Sequence, residues 1–149
     1  MNIELESQIK RFELAGYFIN EASVTAWAEQ QLIANEIPSS ELCDVVSAKG
    51  FEQQEKSLNT LANEKYENEA FIFICEKLLE QSTNDIHFPA KCLARIAFYA
   101  KNLNEDYSQF CSWLDTESDL VGNGYKDLEP ALIELSKFLT AVGRDARNV

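Results

Sequence analysis

The sequence predicts an all-α protein, and three observations carry that prediction. Apolar residues recur at intervals of three and four almost throughout. Only three prolines and five glycines punctuate 149 residues. No stretch alternates apolar and polar side chains with a period of two. A chain of this length makes one domain, 1–149, large enough to bury a core without disulfides or metals.

The elements follow in order. Leu5, Ile9 and Phe12 share a face in the first segment, and Val24, Trp27, Ala28 and Leu32 in the second. Pro38 breaks the chain, and Ser39 or Ser40 can cap a third helix carrying Leu42, Val45 and Val46. Gly50 stands where a left-handed C-terminal cap would end that helix. Phe51, Leu58 and Leu61 mark a fourth segment.

The fifth segment, about 66–81, is apolar nearly all round at AFIFIC, a run that would also suit a buried strand. The charged flanks Glu67, Glu69, Glu76, Lys77 and Glu80 and the length of the periodic span favour a helix, the central and most buried one. Pro89 can open a sixth helix in its first turn, with Cys92, Leu93, Ile96, Ala97, Ala100 and Leu103 on it. Tyr107, Phe110, Cys111, Trp113 and Leu114 form a seventh. Leu128, Leu132, Leu135, Phe138, Leu139 and Val142 give the eighth, about 128–142, which Gly143 should end, leaving RDARNV as a frayed tail. Seven to eight short helices on short loops favour antiparallel neighbours in a compact bundle. A solenoid-like stacking of hairpins would use the same connections, although no internal repeat supports it.

Charge limits the function classes. Twenty-five acids against thirteen bases give −12. Binding a phosphate backbone needs clustered Lys and Arg, so no direct nucleic-acid binding is expected. An anionic membrane surface is disfavoured for the same reason. The N-terminus, MNIELESQIKRF, lacks the basic and apolar regions of a signal peptide, and the longest apolar run, AFIFIC, is far short of a membrane span. A cytoplasmic location is therefore expected. A basic protein partner would be attracted and steered in.

The acids are concentrated. Residues 104–129 hold Glu105, Asp106, Asp115, Glu117, Asp119, Asp127 and Glu129 against Lys126 alone, a net of −6. Residues 86–103 hold Lys91, Arg95 and Lys101 and no acid. The stretch DTESDLVGNGYKDLEP, 115–130, reads as an acidic turn between two helices. It fails as a calcium loop, because Leu120 replaces the glycine of the sharp bend and Lys126 replaces the bidentate Glu. Tyr125, between glycines and acids, suits a contact surface, where tyrosine is enriched, and equally a staple packed on the last helix.

Catalytic signals are weak. Cys43, Cys75, Cys92 and Cys111 lack the close pairing of a zinc site and sit among apolar neighbours, so they read as buried free thiols. His87 is the only histidine and reads as a loop or cap residue before the Phe88–Pro89 step. No nucleophile elbow, phosphate-binding glycine loop or metalloprotease helix is present. No enzyme activity, cofactor or metal is expected.

The stretch AWAEQQLIANEIPSSELCDVVSA, residues 26–48, resembles a pattern found in small bacterial immunity proteins, which protect cells from polymorphic or contact-dependent growth-inhibition toxins. Trp27-Ala28-Glu29 on one helix, a polar turn with Pro38, and Glu41-Leu42 opening the next carry the likeness. The resemblance implies a small acidic inhibitor that covers the basic cleft of a toxin, commonly a nuclease. Under that expectation the partner-binding residues are Glu105, Asp106, Asp115, Glu117, Asp119, Tyr125, Asp127 and Glu129, with Glu64, Glu67 and Glu69 as a rival surface. An alternative is a helical adaptor, which would show an exposed apolar groove. A small all-α enzyme would instead show a deep pocket with His87 or a cysteine in it.

Overall fold

The computed structural model describes residues 2–35, 39–81 and 84–147, with the side chains of 146 and 147 left aside. The fold is all-α: among the described residues there are eight α-helices and no strand. They are α1 (Ile3–Ala15), α2 (Glu21–Ala34), α3 (Ser40–Ser47), α4 (Gly50–Leu61), α5 (Glu67–Glu80), α6 (His87–Tyr99), α7 (Glu105–Gly122) and α8 (Leu128–Arg147), with a single 3-10 turn at Glu64–Tyr66. Asn2, Asn20, Ser39 and Asn104 cap α1, α2, α3 and α7, each side chain accepting a first-turn backbone N–H that the helix leaves unpaired. Pro38, the expected break, lies outside the described residues, as do 148 and 149 of the expected tail.

Two apolar cores form, and α1 contributes to both. Leu14 joins Val24, Ala28, Leu42, Val45 and Leu58 in the smaller one, built with α2, α3 and α4. Ile9, Phe12 and Ala15 join the buried faces of α5, α6, α7 and α8 in the larger. Phe51 packs against both. Aromatic rings bind the far side of the larger core: Phe110 stacks on Phe138 and Phe71 on Tyr107. The Tyr107 hydroxyl, at the start of α7, donates to Asp145 near the end of α8, so these two helices run antiparallel.

The most buried helix is therefore α1 and not α5. Residues 7–9 and 11–15 are all buried, including Ser7, Gln8, Arg11 and Glu13. Polar side chains survive there because they are paired. Arg11 Nε bonds Glu55 at 2.6 Å, its Nη1 bonds Gln8 at 2.9 Å and Glu67 at 3.3 Å, and its Nη2 bonds the Tyr99 carbonyl. Glu67 also accepts the backbone N–H of Lys101 at 2.9 Å. One guanidinium thus ties α1 to α4, α5 and the end of α6.

Two helices end in the same hydrogen-bonded turn with different residues in it. At the end of α7, Tyr125 N–H bonds the Leu120 carbonyl and Gly124 N–H bonds that of Val121. Gly124 takes φ +78°, the left-handed conformation this cap requires. At the end of α1, Phe18 N–H bonds Glu13 and Tyr17 N–H bonds Leu14. The left-handed position is held by Tyr17, φ +64°, the one non-glycine among the described residues with positive φ. That conformation costs a non-glycine roughly 1–3 kcal/mol. The glycine of this turn, Gly16, is one residue earlier, because its α-carbon passes too close to Cys92 Sγ for any side chain: an added Cβ would lie 2.6 Å from the sulfur.

Three expectations about the elements are corrected. The acidic stretch that reads as a turn is mostly helix, since α7 continues to Gly122. Leu114, Ser118 and Val121 keep its inner stripe at helical spacing after the last aromatic. Gly143 does not stop α8, which runs on to Arg147. Cys43 is exposed, whereas Cys75, Cys92 and Cys111 are buried.

Candidate functional site

The eight residues singled out by the acidic pattern fall in three places. Glu105 and Asp106 lie in the first turn of α7, where the N-terminal end of the helix dipole favours negative charge. Their position has a sufficient structural cause. Asp115 and Asp119 are exposed near the other end of α7, nine to fourteen residues further along, which is about 14–21 Å at 1.5 Å per residue. Tyr125, Asp127 and Glu129 follow in the connection to α8 and its first turn, all exposed.

Glu117 is a correction. The two-residue spacing of Asp115, Glu117 and Asp119 puts all three together only on a strand. On a helix it sends the middle one to the opposite face. Glu117 is 8% exposed and is held by Lys126 Nζ at 2.7 Å, so its charge is spent inside the fold. Glu67 of the rival surface is likewise buried, paired with Arg11. Tyr125 is settled too: at 79% exposure it does not pack on α8.

What remains together is a cluster at the C-terminal end of α7. Asp115 and Asp119 lie one turn apart on its outer face. Tyr125 and Asp127, with Gly124, Lys126 and Pro130, line a shallow cleft of about 390 Å³ floored by Glu117. Trp113, 37% exposed with its ring 5.4 Å from Phe110, lies on the side of α7 opposite Asp115 and outside this cluster. The five acids of α7 meet no base within the helix, and Asp119 sits near its last turn, where the dipole disfavours negative charge.

A second surface is apolar. Leu78, Leu79, Pro89, Leu132, Ile133 and Leu139 line a groove of about 370 Å³ between α5, α6 and α8, with Glu129 at its edge. Ile133 is 49% exposed there.

His87 opens α6 as its first residue. Its Nδ1 lies 2.6 Å from Ser118 Oγ, which ties the start of α6 to the later turns of α7, and its backbone N–H donates to Asp85. Burial pushes the thiols of Cys75 and Cys92 well up and that of Cys111 up to about 12, so they stay protonated at neutral pH. Protonated, buried thiols are poor nucleophiles. Among the described residues no group of three or more His, Cys, Asp and Glu is placed to hold a metal ion, and no helix is long and apolar enough to cross a membrane.

The chain matches no protein-family model, no curated protein and no solved structure.

Proposed function

We propose that this protein is an immunity protein that binds and neutralises a basic toxin domain, a nuclease being the class whose cleft it suits, through the acidic C-terminal end of α7 and the turn after it. The observation that carries the reading is the placement of acids against local stability. Asp115 and Asp119 are exposed, with no base anywhere in α7, and Asp119 lies near the turn where a helix prefers a cation. Charge kept against helix stability is expected where a partner uses it. Tyr125 supplies exposed aromatic area beside it, the residue type that anchors protein contacts. The net charge of −12 steers a basic partner in and repels nucleic acid.

The test is capture of partners from the native host at low and at moderate salt, identified by mass spectrometry, followed by association kinetics with Asp115→Lys/Asp119→Lys. A single basic domain, toxic when expressed alone and silenced by this protein, should be released by salt and should associate about tenfold more slowly with the double variant. Neutral or acidic partners held equally at both salts, or unchanged kinetics in the variant, would sink the reading. The groove between α5, α6 and α8 favours a second reading, a helical adaptor that receives an amphipathic helix. Ile133→Glu would abolish that binding and leave the acidic surface intact.

A further inference from the structure

Arg95, in the basic run of this acidic chain, lines a cleft. Lys91 and Arg95 lie one turn apart on α6 and both reach the ring of Tyr17, with Lys91 Nζ 5.1 Å and Arg95 Cζ 4.6 Å from its centroid. Arg95 also lies 5.0 Å from the Phe51 ring and 5.7 Å from that of Tyr99. Its Nε donates to the Ala15 carbonyl at 2.7 Å. The guanidinium is thus fixed by one hydrogen bond and three rings. Among the described residues neither cation has an ion-pair partner, and the terminal nitrogens of Arg95 donate to nothing. In a chain with twenty-five acids, an arginine left unpaired and half-buried is unusual.

Tyr17 is the other half of the observation. It takes the left-handed position that Gly124 fills at the end of α7, and that strained backbone puts its ring over Arg95 and Lys91. Strain held at one residue is a marker of function when the surroundings enforce it. The cleft that Arg95 lines measures about 890 Å³, within the roughly 300–1,000 Å³ of small-molecule sites. Phe18, Ile19 and Phe51 give it apolar walls, and Glu21 stands exposed at its rim.

We propose that this cleft binds a small molecule carrying a phosphate or carboxylate on a flat apolar body. The anion pairs with the terminal nitrogens of Arg95, a planar fork that matches both groups. Lys91 adds a second positive charge one turn away, and the apolar body lies against Phe18 and Phe51. None of the acidic residues of α7 lines this cleft, so the site is independent of the toxin-binding reading.

The test is a titration followed by amide and arginine side-chain NMR resonances, with phenyl phosphate, benzoate, inorganic phosphate and uncharged benzyl alcohol as probes. Phenyl phosphate or benzoate should give saturable shifts at Tyr17, Ala22 and Arg95 Nε–H, and benzyl alcohol should not. Arg95→Gln should weaken binding about tenfold and Lys91→Gln about threefold. Glu21→Gln should tighten it. Lys91 is exposed, so its variant decides the matter even if Arg95→Gln fails to fold. Absence of saturable shifts, wild-type affinity in the variants that fold, or equal effects of benzyl alcohol and phenyl phosphate would overturn the proposal. Inorganic phosphate binding as tightly as phenyl phosphate would overturn the role given to the apolar walls.

Discussion

Cys43 and Cys92 have similar neighbours in sequence and opposite fates. Cys43 stands between Leu42 and Val45, both buried, yet it points outward from α3, while Cys92 is fully buried against Gly16. Apolar neighbours therefore do not report the burial of a helical residue; its angle on the helix does. A native protein treated with a thiol reagent at neutral pH should lose one thiol quickly and three only on unfolding. Two or more fast thiols would contradict the packing around Cys75, Cys92 and Cys111. Their raised values also set a sign. Folding keeps these thiols neutral, so their contribution is complete below the ordinary thiol value of 9.0 and fades as pH rises toward about 12, the value for Cys111. Glu117 shows the same limit of sequence reading: its type and neighbours fit an acidic surface, and only the helical rotation shows that it faces inward.

Helix existence was legible element by element, from the three-to-four spacing of apolar residues in most segments and from charged flanks and length in the fifth. Helix ends were not. Alternating acids and the Gly-Asn-Gly at 122–124 suggest a turn at 115, whereas the left-handed cap forms only at Gly124. Gly143 illustrates the reverse case: nothing lies within 4 Å of where its Cβ would be, so its missing side chain neither serves packing nor ends α8. The mismatch between the acids of α7 and its dipole gives a prediction at this scale. Asp119→Lys should raise stability by about 0.3–1 kcal/mol in thermal or urea unfolding, while slowing association with the partner. A variant that is less stable would show that Asp119 serves the fold. The candidate surface was half legible, in that composition located the acidic span and the helix then divided it.

At the scale of the molecule, the two cores differ in strength. α2 and α3 bury Val24, Ala28, Leu42 and Val45, whereas α5 alone buries six residues. Native-state hydrogen exchange should find the amides of α2 and α3 opening at lower free energy than those of α5 and α6. A single opening free energy across all four would mean the cores unfold as one. This arrangement was only partly within sequence reading, because the cores share α1 and Phe51 and are tied further by Arg11, whose polar partners at 55, 67 and 99 leave no periodic trace.

The central place of α1 also has a consequence during synthesis. α1 leaves the ribosome before every helix it packs against, and Arg11 waits 88 residues for the Tyr99 carbonyl. A nascent chain halted before α6 would leave that guanidinium without its Tyr99 partner, although Gln8, Glu55 and Glu67 are already made. The earliest helix is thus not complete until residue 99 has been translated, and α5 and α6 wait longer still, for α8 and α7.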